Sequence, residues 1–314
     1  MIYPTNFETR IGFDVVRQEV EKRCISTLGI TFCQEMHFSS NFKEVSTWLR
    51  QTNEFLAILH SKKEFPLNYF FDLRAPLKSI TTPGAFITSD HLFNLWRSLL
   101  TISQIIKFFK PDDEGTTPYP HLQALTVGMQ SFPEIIAAAN RILDKFGNVK
   151  DNASPLLLDL RRKIASTTAG INGIMRRVIA QGRTNGIFDA DTAPSVRDGR
   201  LVLPVAPMHK RKVKGIVHDE SATGKTIFIE PEEIVEANNR IRETEGEIKR
   251  EIVRILTEVS DLIRPHIPDL LNTYTTLGFF DFIRAKASFA ADVDAHLPQL
   301  ENHCLIEWYH AQHP

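Results

Sequence analysis

Glycine is scarce in this chain, 15 of 314 residues. That is roughly 5% against a usual ~7%, thin for an α/β nucleotide enzyme built on glycine-rich loops. Cysteine is scarcer still. Cys24, Cys33 and Cys304 form no spaced motif, and an odd, scattered count fits reduced thiols in a cytoplasm better than a disulfide framework. No apolar run approaches the roughly 20 residues needed to span a bilayer. Met1 to Glu8 hold no basic stretch followed by an apolar one, so no signal peptide is expected, and the cytoplasm is the expected location. Net charge is nearly absent too, with 37 Lys and Arg against 38 Asp and Glu. What the chain has in quantity is apolar side chain, 42% of its residues, enough for a packed core, and a length that suggests about two domains.

The periodicity is helical. Helices are expected over 8–27, 42–61, 88–109, 121–128 and 131–146. Leu92, Leu95, Trp96, Leu99, Leu100, Ile102, Ile105 and Ile106 form a broad apolar face on the third of these. The many phenylalanines of this region read as core filler rather than as platforms for stacked bases. Pro83-Gly84 and the stretch 111–120 break the pattern.

From Ser154 the pattern becomes more regular. Ser154 reads as an N-cap with Pro155 at the first helical position. Leu157, Leu160, Ile164, Thr167, Ile171, Ile174 and Val178 then alternate spacings of three and four without a slip, a heptad seam. This helix is expected to run to about Gln181, with Gly182 and Gly186 marking its exit. A second long helix is expected from Pro231 to Pro265, with Glu232 and Glu233 in its first turn. Ile234, Ile241, Ile248, Ile255 and Leu262 recur every seven residues. The second seam row reads as Asn238, Glu245, Ile252 and Val259. The two helices, about 28 and 33 residues, would each be about 40–50 Å long.

Between them lies a segment of β texture: Val196-Arg197, Arg200 to Leu203, Val213 to His218 and Thr226 to Ile229, with an Asp198-Gly199 hairpin turn. The expected fold is mainly α: a helical core, and a long antiparallel two-helix arm carrying a small antiparallel sheet at its tip. The expected divisions are a helical core over 1–150, arm helices over 151–185 and 231–264, a small β domain over 186–230, and a return helix with connector over 265–314. In that last part Leu277, Phe279, Phe280, Phe282 and Ile283 lead into Ala285, Ala287, Ala290 and Ala291.

Thr223-Gly224-Lys225-Thr226 mimics a phosphate-binding loop. Such a loop needs a glycine five residues before its second glycine and a helix after it. Here Asp219 and Glu220 stand where a triphosphate would be repelled, and a strand pattern follows, so a hairpin loop is expected instead. His310 and His313, with Glu307 nearby, have helical ligand spacing but no further partner, and read as connector residues. No catalytic constellation and no metal site emerge.

Charge is segregated, and the near-zero sum conceals it. Residues 161–225 carry thirteen basic side chains and five acidic ones, a net of +8, leaving −9 for the remainder. Lys210-Arg211-Lys212 and Lys214 form the densest cluster. This is the electrostatic footprint of a protein that contacts nucleic-acid phosphates, a mode that positions without reading sequence.

The residues 146–155 (Phe146-Gly147-Asn148-Val149-Lys150-Asp151-Asn152-Ala153-Ser154-Pro155), 196–205 (Val196 to Val205), and Gly215 through Pro231 to Asn238-Asn239 resemble the MutS family, in its second bacterial branch, which lacks the mismatch-reading domain. Leu277 to Phe282 resembles the helix that leads back to that family's ATPase, and Gln312-His313-Pro314 resembles the start of the ATPase itself. Lys225 departs from the small or apolar residue usual at its position. The resemblance implies a core, lever helices and a β clamp. It implies a parent that is a dimeric ATPase with ATP and Mg bound in a domain beyond Pro314, usually followed by an Smr nuclease domain, so this chain is expected to be non-catalytic and without a cofactor. It implies binding of duplex or branched DNA in repair and recombination control, with Arg197, Arg200, Lys210, Arg211, Lys212, Lys214 and Lys225 as the phosphate-contacting residues. A ribosomal partner is implied by some members. The alternative expectation is a helical interaction module that docks a protein or the ribosome.

Overall fold

The computed structural model describes residues 6–61, 64–67, 69–113, 115–197, 199–309, 311–312 and 314. The expectations that fall on Asp198, His310 and His313 lie outside them. Two units separate: residues 1–148 with 256–314, and residues 149–255.

The first unit is helical. Its helices are α1 (Phe7–Arg10), α2 (Phe13–Arg23), α3 (Thr27–Gln34), α4 (Phe42–His60), α5 (Arg74–Ser79), α6 (Ser89–Phe108), α7 (Pro120–Thr126) and α8 (Pro133–Ile142). The helix expected over 8–27 is in fact broken twice. Gly12 takes a left-handed φ of 71° between α1 and α2, a conformation that glycine adopts without strain. Cys24 is extended, and Ser26 opens α3 by accepting a hydrogen bond from the Gly29 amide on its hydroxyl. α6 buries Leu92, Leu95, Leu99, Ile102 and Ile105 as its periodicity predicts. The phenylalanines fill the core only in part: Phe55 and Phe109 are buried, Phe109 stacking on the buried Phe280 of the last helix with centroids 5.5 Å apart, whereas Phe7, Phe38, Phe42 and Phe86 are exposed.

In the second unit α9 (Pro155–Thr184) is followed by the strands β1 (Ser195–Arg197), β2 (Arg200–Val205), β3 (Gly215–Glu220) and β4 (Ile227–Pro231), and then by α10 (Glu232–Ile263), which runs on past Ile255. A short 3-10 turn, Arg264–His266, then leads into α11 (Ile267–Asp292) in the first unit. Ser154 caps α9, accepting from the Leu157 amide at 3.0 Å, and its own hydroxyl donates to the Glu251 carboxylate at 2.6 Å. Lys163 lies 3.9 Å from Glu247, and Met175 and Ile179 share a core with Ile234. Early residues of α9 thus meet late residues of α10, and late ones meet early ones, so the two helices are antiparallel.

The seam of α9 is as expected: Leu157 and Leu160 are buried, and Ile164, Thr167, Ile171, Ile174 and Val178 are half-buried. Toward the sheet the buried stripe moves to Met175, Ile179 and Gly182. Gly182 lies inside the helix rather than at its exit, and its lack of a Cβ leaves room for the Phe188 ring, which a Cβ there would strike. Gly186, at φ 65°, makes the exit. The seam of α10 agrees in part: Ile234, Ile255 and Val259 are buried and Asn238, Ile241, Ile248 and Ile252 half-buried, whereas Glu245 and Leu262 are exposed and the buried second row is Ala237, Thr244 and Glu251.

The sheet has the order β1-β2-β4-β3 with every pairing antiparallel. Leu203 and Val205 of β2 and Ile227 and Ile229 of β4 face Met175, Ile179, Phe188 and Ile234 in one apolar core. Among the described residues no helix is long and apolar enough to cross a membrane.

Candidate nucleic-acid interface

The seven basic residues singled out in the sequence fall into three settings. Lys210, Arg211 and Lys212 end a 3-10 helix, Pro207–Lys212, on the connection between β2 and β3, and Lys214 directly precedes β3. All four are exposed, and none forms an ion pair with a described residue. Ammonium and guanidinium groups left without carboxylate partners are free to meet an external anion.

Arg200 is differently placed. Its Nη1 lies 2.9 Å from Oε2 of Glu230, a carboxylate with no solvent exposure. The same oxygen lies 2.6 Å from Nε2 of His218, and Oε1 accepts from Asn238 Nδ2 at 2.7 Å. Burial opposes ionisation of Glu230, but the hydrogen bonds from Asn238, His218 and Arg200 outweigh it, and the carboxyl sits below its ordinary value. This network joins β2, β3, β4 and α10 through one side chain. Arg197, paired with Arg200 across the β1–β2 register, lies over the Phe228 ring at 4.4 Å, with its Nε 3.5 Å from Asp219.

Lys225 occupies the turn between β3 and β4, where the Gly224 amide donates to the Ser221 carbonyl at 2.7 Å and the Ser221 amide to the Thr226 carbonyl at 2.8 Å. A strand enters this turn and a strand leaves it, so the Gly-Lys-Thr triplet has no helix N-terminus to offer a phosphate. The residues do not fit a bound nucleoside triphosphate. β3 also separates Lys225 from Lys214, since Gly215 pairs with Pro231 at one end and Glu220 with Ile227 at the other. At about 3.3 Å per residue that is roughly 15–20 Å.

Similarity to known proteins runs along nearly the whole chain. Over 304 residues, 97% of this chain, the sequence is 32% identical to Endonuclease MutS2 of a Geobacillus species. The chain is MutS2-like over nearly its whole length. Endonuclease MutS2 of Ligilactobacillus salivarius is 31% identical over 305 residues, and that of Levilactobacillus brevis 30% over 302. The chain spans 38% of the length of these MutS2 relatives. No family model matches it.

Two features of the MutS2-like chain escaped the reading of its sequence. One is the Glu230 network: Glu230 and His218 stand twelve residues apart with nothing in their spacing to mark a contact. The other is Met208, 80% exposed at the head of the basic turn. Among the described residues no three His, Cys, Asp or Glu side chains are grouped to hold a metal ion.

Proposed function

We propose that this chain is the non-catalytic, nucleic-acid-holding part of a MutS2-type DNA-processing protein. It grips duplex or branched DNA by backbone phosphates, without sequence specificity. The observation that carries this reading is the run of exposed, unpaired cations at Lys210, Arg211, Lys212 and Lys214, supported by the charge division between the two units. Residues 149–255 hold nineteen basic and fifteen acidic side chains, a net of +4, against −5 for the rest. Arg197 and Lys225 extend the surface, while Arg200 acts mainly by holding the sheet together through Glu230. ATP and Mg, dimerisation and nuclease chemistry belong to other parts of such a protein.

The test is a binding panel with a plain duplex, a four-way junction and a ribosomal RNA fragment. The wild-type chain is compared with a variant in which Lys210, Arg211, Lys212 and Lys214 are all changed to Glu. The variant should lose binding to the DNA ligands by at least tenfold. Unchanged affinity would remove this surface from the interface.

The exposed apolar side chains Met208, Val196 and Ile216 beside the cations favour one second reading, a surface that docks a protein or the ribosome. Binding that ignores salt and is lost on changing seam residues such as Ile171 or Ile248 would select it.

A further inference from the structure

Lys286 projects from α11 into the helical unit, at the junction of two voids of about 410 and 300 Å3 that share Phe13, Met36, Trp48 and Lys286 itself. The larger void is walled by Phe13 of α2, Phe32 of α3, Trp48 of α4, and Phe279 and Phe282 of α11. Lys286 Nζ lies 4.6 Å from the centre of the Phe282 ring and makes no hydrogen bond or ion pair with a described residue. Burial pushes this ammonium down to about 8. Lys286 is half-buried, and a charge even partly withdrawn from water without a counter-charge is costly to keep. Here it is kept beside an aromatic-lined space, when a methionine or leucine would fill the position at no such cost. The polar side chains that share the space are Glu35 and His37, both exposed. Small-molecule sites have this composition: concave, largely apolar, with one or two polar groups that fix orientation, in volumes of roughly 300–1,000 Å3.

We infer that this cavity is a binding site for a small aromatic monocarboxylate, its ring among Phe13, Phe32, Trp48 and Phe282 and its carboxylate paired with Lys286. The charge of Lys286 selects the anion, and the cavity volume admits one or two fused rings. This site belongs to the other unit, residues 1–148 with 256–314, and does not depend on the nucleic-acid reading.

The experiment uses the full 314-residue chain and three probes of one shape: 2-naphthoate, the neutral 2-naphthamide and the cationic 2-naphthylmethylamine, titrated by calorimetry at pH 7. Naphthoate should bind at least tenfold more tightly than the amide, and the amine should bind most weakly. In Lys286→Met the preference for naphthoate should vanish, with amide binding kept within about threefold. On the wild-type chain, naphthoate should also protect Lys286, and not the exposed Lys43, from trinitrobenzenesulfonate labelling read by peptide mass. No saturable naphthoate binding, equal affinity for acid and amide, a preference that survives Lys286→Met, or absence of protection would each overturn the inference.

Discussion

The Arg200 guanidinium stands 2.9 Å from the Glu230 carboxylate, which is wholly shielded from solvent. One of the seven cations that look alike in the sequence is therefore committed to the interior, and the charge available to a ligand is smaller than residue counting suggests. Removing one partner of a buried ion pair leaves the other uncompensated, at about 3–5 kcal/mol. Glu230→Gln keeps the shape and some hydrogen bonds, so we expect a loss of about 2–4 kcal/mol in the stability of residues 149–255. It is checked by hydrogen exchange at the Leu203 and Ile229 amides. The Glu230 carboxyl lies below its ordinary value in the folded chain. Its stabilisation is therefore present above about pH 4.5, the ordinary value, and is lost as pH falls further. The gap between wild type and Glu230→Gln should close on acidification below pH 4.

Two glycine-to-alanine changes should have opposite signs. A Cβ on Gly29 would collide with the Asp281 carboxylate, which is fully buried and accepts from the Ser26 amide at 2.7 Å, the Ser26 hydroxyl at 2.8 Å and the Ile25 amide at 2.9 Å. Gly29→Ala should destabilise the helical unit by about 2–4 kcal/mol, through overpacking and a disturbed buried charge. Gly170, within α9, has nothing within 4 Å of the position a Cβ would take. Gly170→Ala should stabilise α9 by roughly 0.5–1 kcal/mol. Urea denaturation of the first variant and amide exchange along α9 in the second are the measurements.

Lys286 gives a stability signature with a defined pH window. Its folded-state value, about 8, lies below the ordinary 10.5. The folded chain thus holds this proton less tightly than the unfolded one. The penalty is borne in full below about pH 8 and relieved as pH rises toward 10.5. Lys286→Met should therefore raise stability at pH 7 by about 1–3 kcal/mol, and the gain should shrink by pH 10. Thermal unfolding of both proteins at the two pH values tests this, and a gain that grows with pH would contradict it.

Much of the architecture is legible in the sequence because it rests on repeats of the hydrophobic pattern. The stripe of α9, its Ser154 cap and the four strands all follow from spacing and turn residues. The second row of α10 does not. Ala237, Thr244 and Glu251 are buried there, but only Ala237 is apolar. Glu251 is tolerated because Ser154 and Arg254 supply its hydrogen bonds, and such partners have no signature in a hydropathy pattern. Glu230 and Lys286 were hidden for the same reason, since each looks like an ordinary surface charge until its neighbours are known. Gly12 was missed as a break because the apolar pattern runs through it. In the candidate interface, composition locates the cations but not which of them Glu230 has already engaged.

The central claim is that Lys210, Arg211, Lys212 and Lys214 contact phosphates. Each phosphate neutralised on a duplex contributes about −0.9 to the slope of log affinity against log salt concentration. The direct measurement is that slope for a fluorescent duplex, between about 50 and 200 mM salt, for the wild-type chain and for a variant with all four residues changed to Ala. The account predicts a wild-type slope steeper than about −3 and a variant slope flatter by about 3 to 4. Equal slopes in the two proteins would contradict it.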